Sequence, residues 1–240
     1  RFLLPLAEPE HEAAQRPDTL GRPEYYDFAL FARGAEAHAL DERRLTELTY
    51  TVFDTETTGL EPTEGDEIIQ IGAVRIVNLR LLHNETFDQL IDPRRRLDRA
   101  SVRVHGISED MLRGQPTIDE VLPAFRAFCE DTVLVGHNAA FDMRFLQLKE
   151  PSAGVRFDQP LLDTLLLSEV LHPAQESHRL EAIAERLGVR IEARHNALGD
   201  AIITAQVFLR MIGLLAAAGI HTLRDARDAA AKTRYAKVQY

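Results

Sequence analysis

Over residues 1–47 apolar and polar positions keep no steady period, and Pro5, Pro9, Pro17 and Pro23 fall among Glu8, Glu10 and Glu12. That composition predicts an irregular arm. Within it Tyr25–Phe31 is too aromatic to sit in water, so it is expected to dock on the domain or on a partner. From Leu48 the pattern becomes regular. Leu48-Thr49-Tyr50-Thr51-Val52 predicts a buried strand, Ile68–Val77 a second, and Asn84–Ile91 a third after a turn near Asn78-Leu79-Arg80. Gly72, inside the second strand, predicts close approach of another element. Ser108 is expected to cap a short helix. Thr117-Ile118-Asp119-Glu120 has the spacing of a capping box and opens a helix to about Glu130, with Pro123 as a local conflict. A strand over Thr132–Val135 leads through Gly136-His137-Asn138 into a helix over Ala139–Lys149. A short strand near Leu161-Leu162 precedes Asp163, read as the N-cap of a helix over Thr164–Leu171. A helix over His178–Leu187 stops at Gly188, and Val189–Ile191 is read as a short extended piece. The last helix runs from about Asn196 to Ala218, with Ala197, Ala201, Ile202, Ala205, Phe208, Leu209 and Ile212 on its buried face.

Strands in a meander followed by strands alternating with helices predict an α/β domain, a mixed sheet flanked by helices with its site at one end. The 240 residues suit one domain with an extension, and 45% hydrophobic against 28% charged residues fits a water-soluble globular chain. The first residue is Arg rather than Met, so a fragment of a longer chain is expected. No uninterrupted apolar run approaches the roughly 18 residues that a membrane span needs, so no membrane contact is expected. One cysteine, Cys129, permits no intrachain disulfide and fits a reducing compartment, the cytoplasm. The net charge of −10 argues against a protein that holds nucleic acid mainly by electrostatics. It leaves room for an enzyme with acids at a metal site and a small basic surface elsewhere. Arg94, Arg95, Arg96, Arg99 and Arg103 are the densest basic cluster, either a solvated face or a grip on phosphates.

Asp54 and Glu56, in Phe53-Asp54-Thr55-Glu56-Thr57-Thr58-Gly59-Leu60, are two residues apart after the first strand and share one side of it. Two carboxylates about 4 Å apart at an effective dielectric of about 20 repel by roughly 4 kcal/mol. A hard divalent cation with oxygen ligands offsets that cost, although a solvated acidic pair is the simpler reading of this stretch alone. Asp142, in Gly136-His137-Asn138-Ala139-Ala140-Phe141-Asp142, falls in the first turn of a helix, where the dipole favours an anion. His195-Asn196-Ala197-Leu198-Gly199-Asp200 places a histidine in a loop and an acid at the start of the last helix. Singly, each of these acids reads first as a helix-start charge.

Together the three segments resemble the three motifs of the DEDD superfamily of exonucleases, which has a ribonuclease H-like fold. Asp54 and Glu56 match the first motif, Asp142 the second, and His195 with Asp200 the third. The histidine identifies the subgroup, since the sister subgroup carries a tyrosine near the last acid and none lies between positions 51 and 234. The likeness is nearest to epsilon-type proofreading exonucleases of bacterial replicative polymerases. It covers about residues 48–215, leaving an extension over 1–47 and a tail over 216–240.

The resemblance implies phosphodiester hydrolysis from the 3′ end of single-stranded or frayed DNA, releasing nucleoside 5′-monophosphates. It also implies two divalent ions, Mg²⁺ or Mn²⁺, held by Asp54, Glu56, Asp142 and Asp200, with His195 as general base. Among relatives, the positions of Leu60 and Ile107 pack against the last bases, and those of Thr57 and Gly59 approach the terminal nucleotide. His105, His137, Asn138 and Phe141 lie in matching segments and are expected at the substrate groove, although Leu60, Ile107 and Phe141 read equally as core. An exoribonuclease with the same chemistry is the alternative, and a non-catalytic binding module a further one. No clamp-binding peptide is evident, and a polymerase or other protein partner stays open. His11, His38, His83, His172, His178 and His221 are expected at the surface.

Overall fold

A computed structural model describes residues 40–191 and 196–237; Tyr25–Phe31 and His195 lie outside the described residues. Five strands form one mixed sheet in the order β3-β2-β1-β4-β5. Strand β1 (Tyr50–Thr57) is central, antiparallel to β2 (Ile68–Val77) and parallel to β4 (Val133–Gly136). The edges are β3 (Arg80–Leu90), antiparallel to β2, and the short β5 (Leu161–Asp163), parallel to β4. This is the mixed sheet flanked by helices that the order of strands and helices predicts.

Strand β1 runs five residues beyond the expected end at Val52. Antiparallel pairing carries it on, with Asp54 opposite Gly72 and Glu56 opposite Gln70, until the register shifts at Glu56/Thr57. Both acids therefore lie within the strand. Strand β3 starts at Arg80, four residues earlier than expected, because Asn78 and Leu79 both take positive φ (50° and 59°) in a two-residue hairpin loop. Helix α1 (Arg99–His105), missed in the sequence, is capped by Asp98 and ends at Gly106. Helix α2 (Glu109–Leu112) follows Ser108, whose side chain makes no cap bond. Helix α3 (Ile118–Phe128) has the expected capping box, which lowers the pKa of Glu120 through hydrogen bonds from Thr117, and it tolerates Pro123. Helices α4 (Ala139–Ala153), α5 (Thr164–Leu171), α6 (Leu180–Arg186) and α7 (Ala197–Ala217) complete the domain. Val189–Ile191 pairs with no strand among the described residues.

The twofold period of the strands divides the core. Tyr50, Val52, Val74, Ile76, Val133 and Val135 face α7, against Phe208, Met211 and Leu215. Phe53, Ile71, Ala73 and Leu134 face α3 and α4, against Phe125, Phe141 and Phe145. Helix α7 is long and apolar enough to cross a membrane by length and composition. Here it is the central core helix, touching β1 and β2 on one side and α5 and α6 on the other. That double cover buries Ile203, Val207 and Met211 and leaves Ile202 and Leu209 partly buried, so its apolar face is wider than one stripe.

Beyond α7, helix α8 (Leu223–Ala230) adds Leu223 and Ala226 to the same core as Leu45 and Leu48. Residues 40–45 lie against its start: Arg44 bridges Thr222, and Asp41 takes ion pairs from Arg224 and Arg227. His178, expected at the surface, is buried. Its Nδ1 is 2.8 Å from Ser168 Oγ and its ring stands edge-on to Tyr235. Burial, aided by the Arg186 charge, lowers its pKa. Of the other described histidines, His172 is half-buried, while His83 and His221 are exposed as expected.

A Cβ on Gly72 would overlap the backbone of Ala197 and Leu198, so α7 crosses β2 at the one position without a side chain. Gly72→Ala should lower the unfolding free energy in urea by about 1–3 kcal/mol, the usual cost of overpacking. Gly213→Ala, on α7 with nothing within 4 Å of the new methyl group, should be neutral or gain up to about 1 kcal/mol.

Candidate active site

The site begins with the face of β1 that carries Tyr50 and Val52. Asp54 and Glu56 continue that face and so point toward α7. Where β2 carries Gly72 and Gln70 opposite them, the first turn of α7 settles onto the sheet. Gln70 fixes its entry: Oε1 accepts from Ala197 N at 3.2 Å, and Nε2 donates to Asp88 Oδ1 at 2.8 Å. Asn196 caps the helix by accepting from Gly199 N. Asp200 then lies in the first turn. One carboxylate oxygen each from Asp54, Glu56 and Asp200 lies within 4.8 Å of the other two, and all three residues are buried. An all-oxygen set of three carboxylates suits a hard divalent cation such as Mg²⁺ or Mn²⁺.

Asp142 approaches β1 from its other edge. Pairing between β1 and β4 ends at Val52 and Val135, and the start of α4 takes over beside the overhanging strand. Asp142 Oδ1 accepts from Thr55 N at 3.0 Å and from Thr55 Oγ1 at 2.5 Å. The fourth acid thus grips the residue between Asp54 and Glu56 and stands outside the close group of three.

Asn138 occupies the N-cap position of α4 with φ of 57°, but its side chain makes no cap bond. The cap comes from Asp163. Its Oδ1 accepts from Asn138 N at 3.0 Å and from Leu165 N at 2.8 Å, and its Oδ2 accepts from Ala139 N at 2.9 Å. Asp163 is therefore the expected cap of α5 and also the cap of α4, the helix that carries Asp142. The second role joins residues 24 and 25 positions apart, and no local spacing announces it.

The expected groove residues have different fates. Leu60 is 41% exposed, on the loop that follows β1. Thr57 Oγ1 donates to Gly59 O, and a Cβ on Gly59 would collide with the Asp66 carboxylate. Asp66, passed over in the sequence, holds this loop: it accepts from Thr58 Oγ1 and Glu61 N and pairs with Arg95. Ile107 is buried with Ile69 and Leu112, and Phe141 packs at a tilt against Phe145 with centroids 5.0 Å apart. His105 is buried, and its Nδ1 accepts from Ile107 N at 3.0 Å.

The family described as "Exonuclease" (RNase_T) matches residues 51–208. A "DNA polymerase III subunit epsilon-like protein" of Rhodobacter capsulatus is 54% identical over 199 residues, 82% of this chain. The chain spans 28% of that relative's length. Among solved structures, "Exonuclease X in complex with 5′ overhanging duplex DNA" superposes with a TM-score of 0.59 at 24% identity, covering 75% of this chain and 99% of that one. The nuclease domain of 3′hExo, "a DEDDh family member, bound to rAMP", gives 0.62 at 19% identity, covering 70% and 94%. Both share the fold.

Two predictions follow from the charges. Asp54→Asn removes one of three crowded carboxylates, so its melting temperature without metal should equal or exceed that of the unaltered protein. Calorimetric titration with Mn²⁺ should show binding lost; retained binding would remove Asp54 from the ligand set. Asp163 is the second case. Burial, opposed by backbone N–H donors that include Leu165, Asn138 and Ala139, raises its pKa to about 6 from 3.8. Between about pH 4 and 6 the native state then holds a proton that the unfolded chain has lost. Its contribution to stability is greatest in acid and is lost as pH rises through 6, a change of about 3 kcal/mol. Asp163→Asn cannot titrate. The unaltered-minus-variant difference in unfolding free energy should fall by about that amount from pH 4 to pH 7, and a flat difference would assign the titration elsewhere.

Proposed function

This chain belongs to the exonuclease family, and from that premise we propose that it is a metal-dependent 3′-to-5′ exonuclease acting on single-stranded or frayed DNA ends. The observation that carries the reading is the convergence of Asp54, Glu56 and Asp200 at the end of β1. In this reading Asp54, Glu56 and Asp200 hold two Mg²⁺ or Mn²⁺ ions, with Asp142 as the fourth acid. Bound there, the ions supply a lowered pKa for the attacking water and charge stabilisation for the leaving 3′ oxygen. Asp142 also fixes the strand end through Thr55, so the first two acids keep their spacing during turnover.

His195, outside the described residues, is assigned the attacking water's proton on the strength of its motif, since imidazole titrates near neutrality. Leu60 offers exposed apolar surface to the terminal base, and Thr57 and Gly59 shape the loop beneath it. In this reading Ile107 and Phe141 support the groove from the core, and His105 and Asn138, both buried, back it from behind. The name of the Rhodobacter capsulatus relative favours proofreading beside a polymerase, hence a cytoplasmic setting.

A single strand labelled at its 5′ end, in matched DNA and RNA forms, should be shortened from the 3′ side to a ladder in Mg²⁺ or Mn²⁺, DNA faster than RNA. Immediate release of the labelled 5′ mononucleotide, or no hydrolysis with Mn²⁺, would overturn the reading. A preference for RNA would move the substrate to RNA with the chemistry intact. His195→Ala should lose about 10²–10⁴-fold in rate together with the pH inflection near 6.5. A near-normal rate would withdraw the role of His195.

A further inference from the structure

Strand β1 ends where β2 begins and β3 finishes, so the segment after β3 emerges at the rim that carries the acids. Residues 92–105 occupy that rim. They are fastened to it by Ile91 N on Ile69 O, by Leu97 in the cluster of Ile69, Ile107 and Leu112, and by Arg95 on Asp66 of the Leu60 loop. In a chain of net charge −10, five arginines stand within ten positions here.

They are not alike. Arg94 pairs with Asp92 and Arg95 with Asp66, whereas Arg96, Arg99 and Arg103 are exposed and form no ion pair among the described residues. The neighbouring acids are already engaged. Asp98 Oδ1 accepts from Ala100 N, Glu109 Oε1 accepts from Leu97 N, and Asp110 pairs with Arg113. Arg99 and Arg103 are four positions apart on α1, which puts them on one face about 6 Å apart along the axis. A guanidinium pair at that spacing, with a third just before the helix, suits successive anionic groups on a linear polymer. A solvated face needs no such segregation of paired from unpaired arginines.

We infer that Arg96, Arg99 and Arg103 form a track for the phosphodiester backbone of the single strand upstream of the 3′ terminal nucleotides. The inference rests on the nuclease reading for its choice of polymer and adds where that polymer runs. The strand leaves the acidic site past Leu60 and crosses α1, so its internal phosphates are held by arginine while its end is held by the acids. The track reads charge and spacing, not base sequence.

The test is equilibrium binding with divalent metal chelated, so that it does not depend on catalysis. Fluorescence anisotropy of a labelled 20-nucleotide dT strand, and of the matching rU strand, is followed across a salt series. Each phosphate contact on a single strand contributes about −0.7 to the slope of log affinity against log salt. The triple variant Arg96→Gln, Arg99→Gln, Arg103→Gln should flatten that slope by about 2 on either strand, while Arg80→Gln with Arg210→Gln, exposed arginines elsewhere, should leave it nearly unchanged. Neutral methylphosphonate linkages upstream of the 3′ end should weaken binding to the unaltered protein but not weaken it further in the triple variant. A slope unaltered in the triple variant, or flattened equally by the Arg80 and Arg210 changes, would overturn the track. Loss of hydrolysis by the unaltered protein would instead strike the nuclease reading and leave this binding result to stand by itself.

Discussion

Three carboxylates held within 4.8 Å of one another repel, and much of the surrounding structure serves to resist their separation. The resistance is distributed. Asp54 and Glu56 cannot part because they share one face of a central strand pinned on both sides. Asp200 cannot retreat because α7 has nowhere else to lie. Gly72 lets it descend, Gln70 catches its first free N–H, and the Tyr50–Phe208 contact, with centroids 4.8 Å apart, locks it further along. The repulsion is thus set against helix–sheet packing, a short-range and many-bodied force. Like charges can be stored in that way at a site waiting for a counterion.

On the far side of β1 the logic is one of hydrogen bonds. The strand outruns its parallel neighbour, which exposes backbone that must find acceptors. Asp142 supplies one, and Asp163 secures the helix from which Asp142 projects. One deeply buried carboxyl therefore sets the relative placement of β5, α4 and α5. It is linked through Asp142 and Thr55 to the acids on the opposite face.

What was legible in the sequence follows the range of the interactions. The strand Ile68–Val77, the capping box at Thr117, the N-cap Asp163 and the close approach at Gly72 all carry their cause within a few residues, and each is found where it was read. The convergence of Asp54, Glu56 and Asp200 is foreshadowed by two separate sequence motifs, whereas the hold of Asp142 on Thr55 is announced by no local pattern. Strand β1 was cut short because its continuation depends on pairing with β2. Helix α1 stays hidden because its seven residues hold two arginines and bury only His105, too few apolar positions to show a helical period. The buried state of His178 depends on Ser168 and Tyr235, the latter 57 residues downstream. Asp66 was invisible for the same reason, since Arg95 reaches it across 29 positions.

The pairing of residues 40–45 with 221–225 has a mechanical side. The described chain begins beside the start of α8, held there by the Arg44–Thr222 bridge and by Asp41 against Arg224 and Arg227. Tension applied through residue 40 would load that small clasp first, at a distance from the end of β1. The sheet would see little of the force until the clasp opened.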